Sequence, residues 1–320
     1  MSEFWKDIPG MSGRLEDVKR GMKETLRYEG FPLADAVEAL VEANGKMLRP
    51  ALLLIAGDFG RRPEALVPLA AAVELLHVAT LIHDDVIDEA DERRGVPTLH
   101  ARFGTKEAVL AGDWLFSRCF RLASEASSPE NARILARLVG AICSAEIHQD
   151  MEKNVWSPSV RNYLRKIAGK TALLFTLALQ AGARESRATP RITATLSRIG
   201  YDLGMAFQIM DDILDYESSA GAMRKPVGKD LREGLCTLPL ILALRGDGRE
   251  LAPLLAARPM GDDAAERILS LVRSSGALDE ARAYALRYTE RALREIRRLP
   301  KGQPRDALDT LVKKLLSREY

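Results

Sequence analysis

Two clusters of aspartates are the residues of this 320-residue chain that are best placed to do chemistry. The aspartates are Asp84, Asp85 and Asp88 in the first cluster, and Asp211, Asp212 and Asp215 in the second, which repeats the DDxxD spacing. On an α-helix, positions i and i+4 lie about 40° apart, so the outer aspartates of each cluster share a face. Paired carboxylates on one face can bind a hard cation such as Mg²⁺, which also takes oxygen ligands from a phosphate.

Each aspartate cluster interrupts an otherwise apolar helical run. A single DDxxD would be read as a solvated helix face or a helix cap. Aspartate is a poor helix former, and neighbouring carboxylates repel each other, so two copies in apolar runs need a counter-charge. Three Mg²⁺ ions would balance the six carboxylates. The pair of clusters therefore predicts a site for a metal-bound diphosphate with three Mg²⁺ ions.

Basic residues recur next to both clusters and predict an anionic substrate. Arginine suits bidentate phosphate contacts, and lysine acts as a compact point charge. Taken singly, each would be a solvated side chain. The basic residues are Lys46 and Arg49 before the first cluster, Arg93 and Arg94 after it, Lys170 between the clusters, and Lys225, Lys229 and Arg232 after the second.

The elements that must position these residues are helices. Apolar residues recur every three or four positions in segments rich in Ala, Leu, Arg and Glu, and these segments are 65–90, 106–127, 131–155, 160–182, 191–217 and 277–299. Ser128 and Ser157, each before a proline, predict helix starts, and Gly246 to Gly248 predicts a turn. The sequence predicts one all-α domain of ten or more helices over residues 1–320.

Composition excludes several classes of protein. With 47% hydrophobic and 29% charged residues and a formal net charge of +2, the chain has a soluble globular composition. It is neither a disordered chain nor a strongly basic nucleic-acid binder. The apolar stretch 65–83 contains Pro68 and Glu74, which predicts a buried core helix and no membrane anchor. Three scattered cysteines and the charged N-terminus predict a reducing, cytoplasmic location.

Five segments, in order, resemble the trans-isoprenyl diphosphate synthase (polyprenyl synthetase) family. They are GKxxRP at 45–50, LIHDDVID at 81–88 with RRG at 93–95, GDWLF at 112–116, KTA at 170–172 and FQIMDDILD at 207–215, and a KPxGxDLxEGxxTLP tail follows at 225–239. The resemblance implies an all-α isoprenoid-synthase bundle around a deep apolar cavity, with both aspartate clusters at its mouth. It also implies Mg²⁺-dependent head-to-tail (1′-4) condensation of isopentenyl diphosphate with an allylic diphosphate.

The resemblance assigns roles to individual residues. It gives most of the Mg²⁺ coordination to Asp84, Asp88 and Asp211, with Asp85, Asp212 and Asp215 as direct or water-mediated supports. The residues implied for the allylic diphosphate are Arg93, Lys170, Thr171, Gln208 and Lys225, and those for isopentenyl diphosphate are Lys46, Arg49, His77 and Arg94. His77 lies about two helical turns before Asp84 and can share its face of the helix. His83 lies about 100° around the helix from that face and is predicted to be structural.

One position departs from the family pattern. Members commonly have a lysine in the EGKxTLP segment, where this chain has Leu235. That removes one expected phosphate contact, and Lys229 or Arg232 is the hypothesised substitute.

The residues one turn before Asp84 predict the product length. Short-chain members of the family tend to place bulky aromatic groups there, and this chain has Ala79 and Thr80. Small side chains leave the tunnel open, which predicts a medium- or long-chain product of about C30 to C50 by family analogy. A bulky side chain from another helix could close the tunnel sooner, so a farnesyl or geranylgeranyl synthase is the alternative.

Other readings stay open. The chain could be the catalytic subunit of a heterodimeric synthase, although the family usually forms homodimers. A terpene cyclase is disfavoured by the GKxxRP segment and the complete second DDxxD. A helical HD-type phosphohydrolase could use the adjacent His83 and Asp84, but it needs further metal-binding histidines and leaves the second cluster unexplained. The chain has four histidines in total.

Overall fold

The computed structural model describes residues 2–27, 32–43, 45–61, 66–93, 95–156, 159–217, 228–256 and 260–316. In these ranges the regular secondary structure is helical apart from one short hairpin, which confirms the predicted all-α class. The helices are α1 (Ser2–Trp5), α2 (Met11–Leu26), α3 (Ala34–Ala43), α4 (Leu48–Gly57), α5 (Val67–Ile87), α6 (Leu99–Phe103), α7 (Thr105–Ala126), α8 (Pro129–Met151), α9 (Val160–Ile167), α10 (Leu173–Glu185), α11 (Pro190–Glu217), α12 (Lys229–Arg232), α13 (Leu238–Ala256), α14 (Asp262–Ser274), α15 (Ala277–Ile296) and α16 (Gln303–Leu316).

The chain divides into two compact units. The first comprises Met1–Arg137, Phe175–Ser197 and Ile296–Leu311, and the second comprises Leu138–Leu174, Arg198–Glu295 and Val312–Tyr320. The first aspartate cluster lies in the first unit and the second cluster in the second. One domain over residues 1–320 stays a prediction.

In the first unit, α5 packs against α2, α4 and α7. Its buried stripe includes Ala72, Leu75 and Leu76, and Pro68 stands in its first turn, where a missing N–H costs nothing. Among the described helices, α5 alone is long and apolar enough to cross a bilayer, and 61% of its most apolar 18-residue window is buried. The helix predicted at 65–90 is confirmed, with its end at Ile87.

Helix α7 approaches α5 closely at Gly112. A Cβ at this position would lie 2.2 Å from His83 Nε2, so a larger residue would displace the His83 ring. His83 Nε2 also lies 3.1 Å from the carbonyl oxygen of Val109, and its ring packs against that of Phe116. These contacts agree with the structural role predicted for His83.

The second unit has its own apolar core, to which α9, α11, α13 and α14 contribute. Its fully buried side chains include Ile209, Ile213 and Tyr216 of α11 and Leu269 of α14. This core holds the helix end that carries the second aspartate cluster.

The turn predicted at Gly246 to Gly248 is wrong, because α13 runs through these positions from Leu238 to Ala256. Leu240 and Leu251, on either side of the glycines, are both fully buried. Burying apolar residues at both ends of the helix outweighs the cost of about 1 kcal/mol for each helical glycine.

The predicted helix starts have different outcomes. Helix α8 begins at Pro129, and the Ser128 hydroxyl accepts the Asn131 N–H at 3.4 Å, which confirms the first. Ser157 and Pro158 lie outside the described residues. Helix α9 is instead capped by Ser159, whose hydroxyl accepts the Asn162 N–H at 3.3 Å.

Candidate active site

The second aspartate cluster lies near the end of α11, and hydrogen bonds join it to α9 and to the turn Ala168–Ala172 that follows α9. Thr171 Oγ1 donates to Gln208 Oε1 at 2.6 Å, and Gln208 Nε2 donates to Asp212 Oδ1 at 2.8 Å. The Tyr163 hydroxyl donates to Asp212 Oδ2 at 2.6 Å. Both oxygens of Asp212 therefore accept hydrogen bonds from protein side chains, and this residue is 4% exposed.

Burial raises the pKa of Asp212 to about 7, although the hydrogen bonds from Tyr163 and Gln208 favour the charged form. The neighbouring charge of Asp211 raises it further. A divalent cation beside the cluster would favour the carboxylate again and release the proton.

Asp215 accepts hydrogen bonds from the start of α12. Its Oδ1 accepts the N–H of Lys229 and its Oδ2 the N–H of Asp230, both at 3.1 Å. Its backbone carbonyl accepts the N–H of Gly228, which has a φ of 72° in the left-handed region. Asp215 thus positions the start of α12. Residues 218–227, which precede it, lie outside the described residues.

Asp211 is the exposed carboxylate of the second cluster. The three aspartates therefore differ: Asp212 is buried in a hydrogen-bond network, Asp215 caps α12, and Asp211 faces solvent. Of the three, Asp211 is the best placed to meet a cation and its hydration water.

Lys170 and Thr171 lie in a π-helical turn, Ala168–Ala172, between α9 and α10. Such turns insert one extra residue into a helix and often occur at functional sites. Lys170 Nζ contacts Glu146 Oε1 at 2.8 Å and Oε2 at 3.0 Å. A Cβ at Gly204 of α11 would lie 2.5 Å from Ala172 Cα, so glycine is required for α11 to approach this turn.

The first aspartate cluster ends α5. Asp85 is 4% exposed, and Arg93 Nε donates to its Oδ1 at 2.7 Å. Asp88 caps the helix, with its N–H donating to the Asp84 carbonyl at 2.8 Å, and the side chains of Asp84 and Asp88 are half-buried. Arg93, predicted to bind the allylic diphosphate, here pairs with Asp85.

Arg93 lies on a small hairpin that follows the first cluster. Its strands are β1 (Glu92–Arg93) and β2 (Val96–Pro97), which pair antiparallel with Arg93 opposite Val96. Arg94 lies outside the described residues, as does Lys225 beyond the second cluster.

The residues predicted to bind isopentenyl diphosphate lie in the first unit. Lys46 Nζ stands 4.7 Å from the ring centroid of Phe4, and Arg49 Cζ stands 5.4 Å from that of Phe175. Both are cation–π contacts on half-buried side chains, which hold the cations in place. His77 is half-buried on α5, seven residues before Asp84.

The two chain-length positions differ in exposure. Ala79 is fully buried, whereas Thr80 is half-buried and its Oγ1 donates to the His77 carbonyl at 2.8 Å.

The two basic residues proposed to replace the missing lysine at position 235 both contact carboxylates. Lys229 Nζ lies 3.1 Å from Glu233 Oε1. Arg232 pairs with Asp262 and with Glu266 of α14. Both cations are thus held next to negative charge on the protein.

Carboxylate oxygens are the ligands that Mg²⁺ prefers, and both clusters supply them, so the residues present fit this ion. Within the described ranges, no three His, Cys, Asp or Glu side chains converge on one point. Mg²⁺ usually takes one or two carboxylates and completes its shell with water and substrate phosphates, so it needs no such convergence.

Sequence reasoning missed Tyr163 and Glu146. Tyr163 lies seven residues before Lys170, two helical turns away, but its partner Asp212 is 49 residues further along the chain. Glu146 is 24 residues before Lys170, on a different helix. No local pattern marks either residue.

The comparisons with known proteins agree with this fold. Residues 32–272 match the family profile described as polyprenyl synthetase. The chain is 36% identical over 312 residues to heptaprenyl diphosphate synthase component 2 of Geobacillus stearothermophilus, covering 97% of each chain.

Solved structures show the same similarity. Geranylgeranyl pyrophosphate synthase from Lactobacillus brevis superposes with a TM-score of 0.93 at 33% identity, covering 99% of this chain and 100% of that one. Polyprenyl synthase from Caulobacter crescentus, complexed with calcium and isoprenyl diphosphate, gives 0.91 at 35% identity, covering 97% and 96%.

The chain belongs to the polyprenyl synthetase family. It is a prenyltransferase, as the resemblance of its motifs implied.

We expect the stabilisation by Mg²⁺ to depend on pH through Asp212. Without metal, the folded state keeps the Asp212 proton up to about pH 7, whereas the unfolded chain loses it near its ordinary pKa of 3.8. This group therefore stabilises the metal-free protein at low pH, and that contribution is lost as the pH rises through about 7. Mg²⁺ should raise the Tm more at about pH 8 than at about pH 6, as measured by differential scanning fluorimetry.

The control for this prediction is Asp212→Asn, which keeps hydrogen-bonding groups for Tyr163 and Gln208 but does not titrate. In this variant the Mg²⁺-induced shift in Tm should be the same at both pH values. A wild-type shift that is independent of pH would contradict the role assigned to Asp212.

Proposed function

We propose that this chain catalyses the Mg²⁺-dependent head-to-tail (1′-4) condensation of isopentenyl diphosphate with an allylic diphosphate, and that it makes a medium- or long-chain all-trans polyprenyl diphosphate. The observation that supports this proposal most directly is the series of hydrogen bonds from Thr171 through Gln208 to Asp212. It fixes the lysine-bearing π turn to the aspartate cluster and leaves Asp211 exposed. Membership of the family supports the same reaction.

In this reaction the allylic C1–O bond breaks and diphosphate leaves. The double bond of isopentenyl diphosphate forms the new C1–C4 bond, and a proton is lost to the departed diphosphate. Mg²⁺, when bound, neutralises the leaving diphosphate as a Lewis acid. The chain supplies the carboxylates that hold the metal, for which we propose Asp84, Asp88 and Asp211.

Cationic and polar side chains would bind the two diphosphates. We propose Arg93, Lys170, Thr171, Gln208 and Lys225 for the allylic substrate, and Lys46, Arg49, His77 and Arg94 for isopentenyl diphosphate. Arg49 and Lys46 are held by aromatic rings, so less entropy is lost when they bind phosphate. The apolar residues of α5 would keep water from the allylic cation.

The product length we propose, about C30 to C50, depends on the small residues Ala79 and Thr80. The name of the Geobacillus stearothermophilus relative, a heptaprenyl synthase component, supports it. The Lactobacillus brevis structure, a geranylgeranyl synthase of the same fold, represents the short-chain alternative.

Replacing Ala79 with Phe should shorten the product to about C15 to C20, because the ring would block the tunnel one turn below Asp84. Product lengths are measured by mass spectrometry. Ala79 is fully buried, so Thr80→Phe is the companion variant, as its half-buried side chain leaves more room. Product lengths unchanged in both folded variants would contradict the proposed tunnel floor.

We also propose that the protein is soluble and cytoplasmic and that it works as a homodimer. The Geobacillus stearothermophilus relative is named component 2, so a heterodimer with a second chain is the alternative. Light scattering gives the mass of the purified chain in solution, and an activity assay is done on the same sample. An active dimer of this chain alone supports the homodimer, and an inactive chain that needs a second protein supports the heterodimer.

Diphosphate release tests the proposed reaction. With Mg²⁺, the enzyme should release diphosphate when isopentenyl diphosphate and an allylic diphosphate are both present, and much less with either alone. A phosphohydrolase would instead release phosphate from single substrates. It would also need His83 as a metal ligand, whereas the His83 ring contacts α7 at Val109 and Phe116.

A further inference from the structure

A small cavity lies beside Tyr163, which hydrogen-bonds to the buried aspartate of the second cluster. Its volume is about 170 Å³, and α9, the end of α8 and the segment before α13 line it. Tyr163, whose hydroxyl donates to Asp212, forms one wall, and Leu235 and Cys236 form another. The cavity therefore joins the network that supports the cluster to the position where the family commonly has a lysine.

Lys166 of α9 lines the same cavity. It lies four residues before Lys170, about one helical turn away on the same side. Its positive charge lowers the pKa of Asp212 and of the Cys236 thiol, although burial raises both overall. The charge of the ammonium group therefore affects both the Asp212 carboxyl and the Cys236 thiol, which follows Leu235 in the chain.

Lys166 differs from the other cations of the second unit in its contacts. Lys170 pairs with Glu146, Lys229 with Glu233, and Arg232 with Asp262. Lys166 takes part in none of the ion pairs found in the part of the chain that the structure describes, although Glu152 lines the same cavity. A half-buried lysine on the wall of a cavity, with no ion pair among the described residues, can bind an incoming anion.

We propose that Lys166 supplies the cation that position 235 lacks, by binding a phosphate oxygen of the diphosphate held at the second aspartate cluster. Lys166 and Leu235 line one cavity, so a lysine at either position would border the same space. This inference rests on the proposed function, because it assigns a further binding residue to the same substrate.

Binding of inorganic diphosphate with Mg²⁺, measured by isothermal titration calorimetry, tests the proposal without turnover. Lys166→Met should weaken the Kd about tenfold, since one charge-assisted hydrogen bond to phosphate is lost. Lys166→Arg should bind nearly as tightly as the wild type. The matched control is Arg165→Met, which removes an exposed cation from the preceding position of α9 and should leave the Kd unchanged.

Restoring a lysine at position 235 gives the sharpest test. In the Lys166→Met background, Leu235→Lys should recover most of the lost affinity, because its ammonium enters the same cavity. In condensation assays, the KM for the allylic substrate should rise in Lys166→Met and fall again in the double variant.

The outcomes separate this inference from the proposed function. If Lys166→Met lowers the Tm but leaves the diphosphate Kd unchanged, Lys166 only neutralises Asp212, and the inference is wrong while the function stands. Absence of rescue by Leu235→Lys in a folded variant also contradicts it. A wild-type chain that neither binds diphosphate nor condenses the two substrates overturns the proposed function and the inference with it.

Discussion

Asp211→Asn is expected to lower kcat/KM about a thousandfold with little effect on stability. Asparagine keeps the shape of the side chain but loses the negative charge that binds a divalent cation. Removing one electrostatic contact to the leaving group typically costs a factor of about 100 to 1,000 in rate. Asp211 is exposed, so we expect the free energy of unfolding to change by less than about 0.5 kcal/mol. Steady-state kinetics and thermal unfolding measure the two effects.

Two variants serve as controls for Asp211→Asn. Asp263→Asn removes an exposed carboxylate from the first turn of α14 and should leave kcat/KM unchanged. Asp212→Asn should change stability and its pH dependence more than Asp211→Asn does, because Asp212 is buried and hydrogen-bonded. An Asp211→Asn enzyme with wild-type activity would show that this carboxylate is not a metal ligand.

Gly204→Ala is expected to destabilise the protein and to remove most of its activity. The new Cβ would lie 2.5 Å from Ala172 Cα and 3.3 Å from Ala172 N, so backbone must move. Overpacking of this kind typically costs about 1 to 3 kcal/mol. The moving backbone carries Lys170 and Thr171, and a shift of about 1 Å in a catalytic site can cost about a hundredfold in kcat.

Gly140→Ala is the matched control for Gly204→Ala. Gly140 also lies within a long helix, α8, but a Cβ there would meet no atom within 4 Å. Alanine is the better helix former, so this variant should be more stable by up to about 1 kcal/mol and fully active. If Gly204→Ala were as stable and as active as Gly140→Ala, the close approach of α11 to the π turn would not matter.

Much of the fold could be predicted from the sequence, because apolar periodicity and helix caps are local signals. Helix α11 was predicted at 191–217 and runs from Pro190 to Glu217. The turn expected at Gly246 failed because burial of Leu240 and Leu251 depends on tertiary packing, which local propensity does not contain.

The sequence marks the residues of the candidate site, but not the different contacts that each of them makes. The spacing of Asp211, Asp212 and Asp215 placed three carboxylates on one helix end. Only the fold shows that Tyr163 buries Asp212 in a hydrogen bond and that Asp215 caps α12. Such contacts join residues far apart in sequence, so no spacing rule reveals them.

The replacement for the missing lysine illustrates the same limit. Lys229 and Arg232 were the hypothesised substitutes because they are close to Leu235 in sequence. Lys166 lies 69 positions earlier, yet it lines one cavity with Leu235. The hypothesised substitutes instead contact Glu233 and Asp262.

Mass spectrometry of the reaction products tests the central claim most directly. The purified chain is incubated with isopentenyl diphosphate, Mg²⁺ and, separately, geranyl, farnesyl or geranylgeranyl diphosphate, with an EDTA control. We predict all-trans polyprenyl diphosphates of about C30 to C50 and no elongation in EDTA. Products that stop at C15 or C20 would contradict the open tunnel at Ala79 and Thr80, and no elongation with any primer by the purified chain would contradict the proposal that it is active as a homodimer.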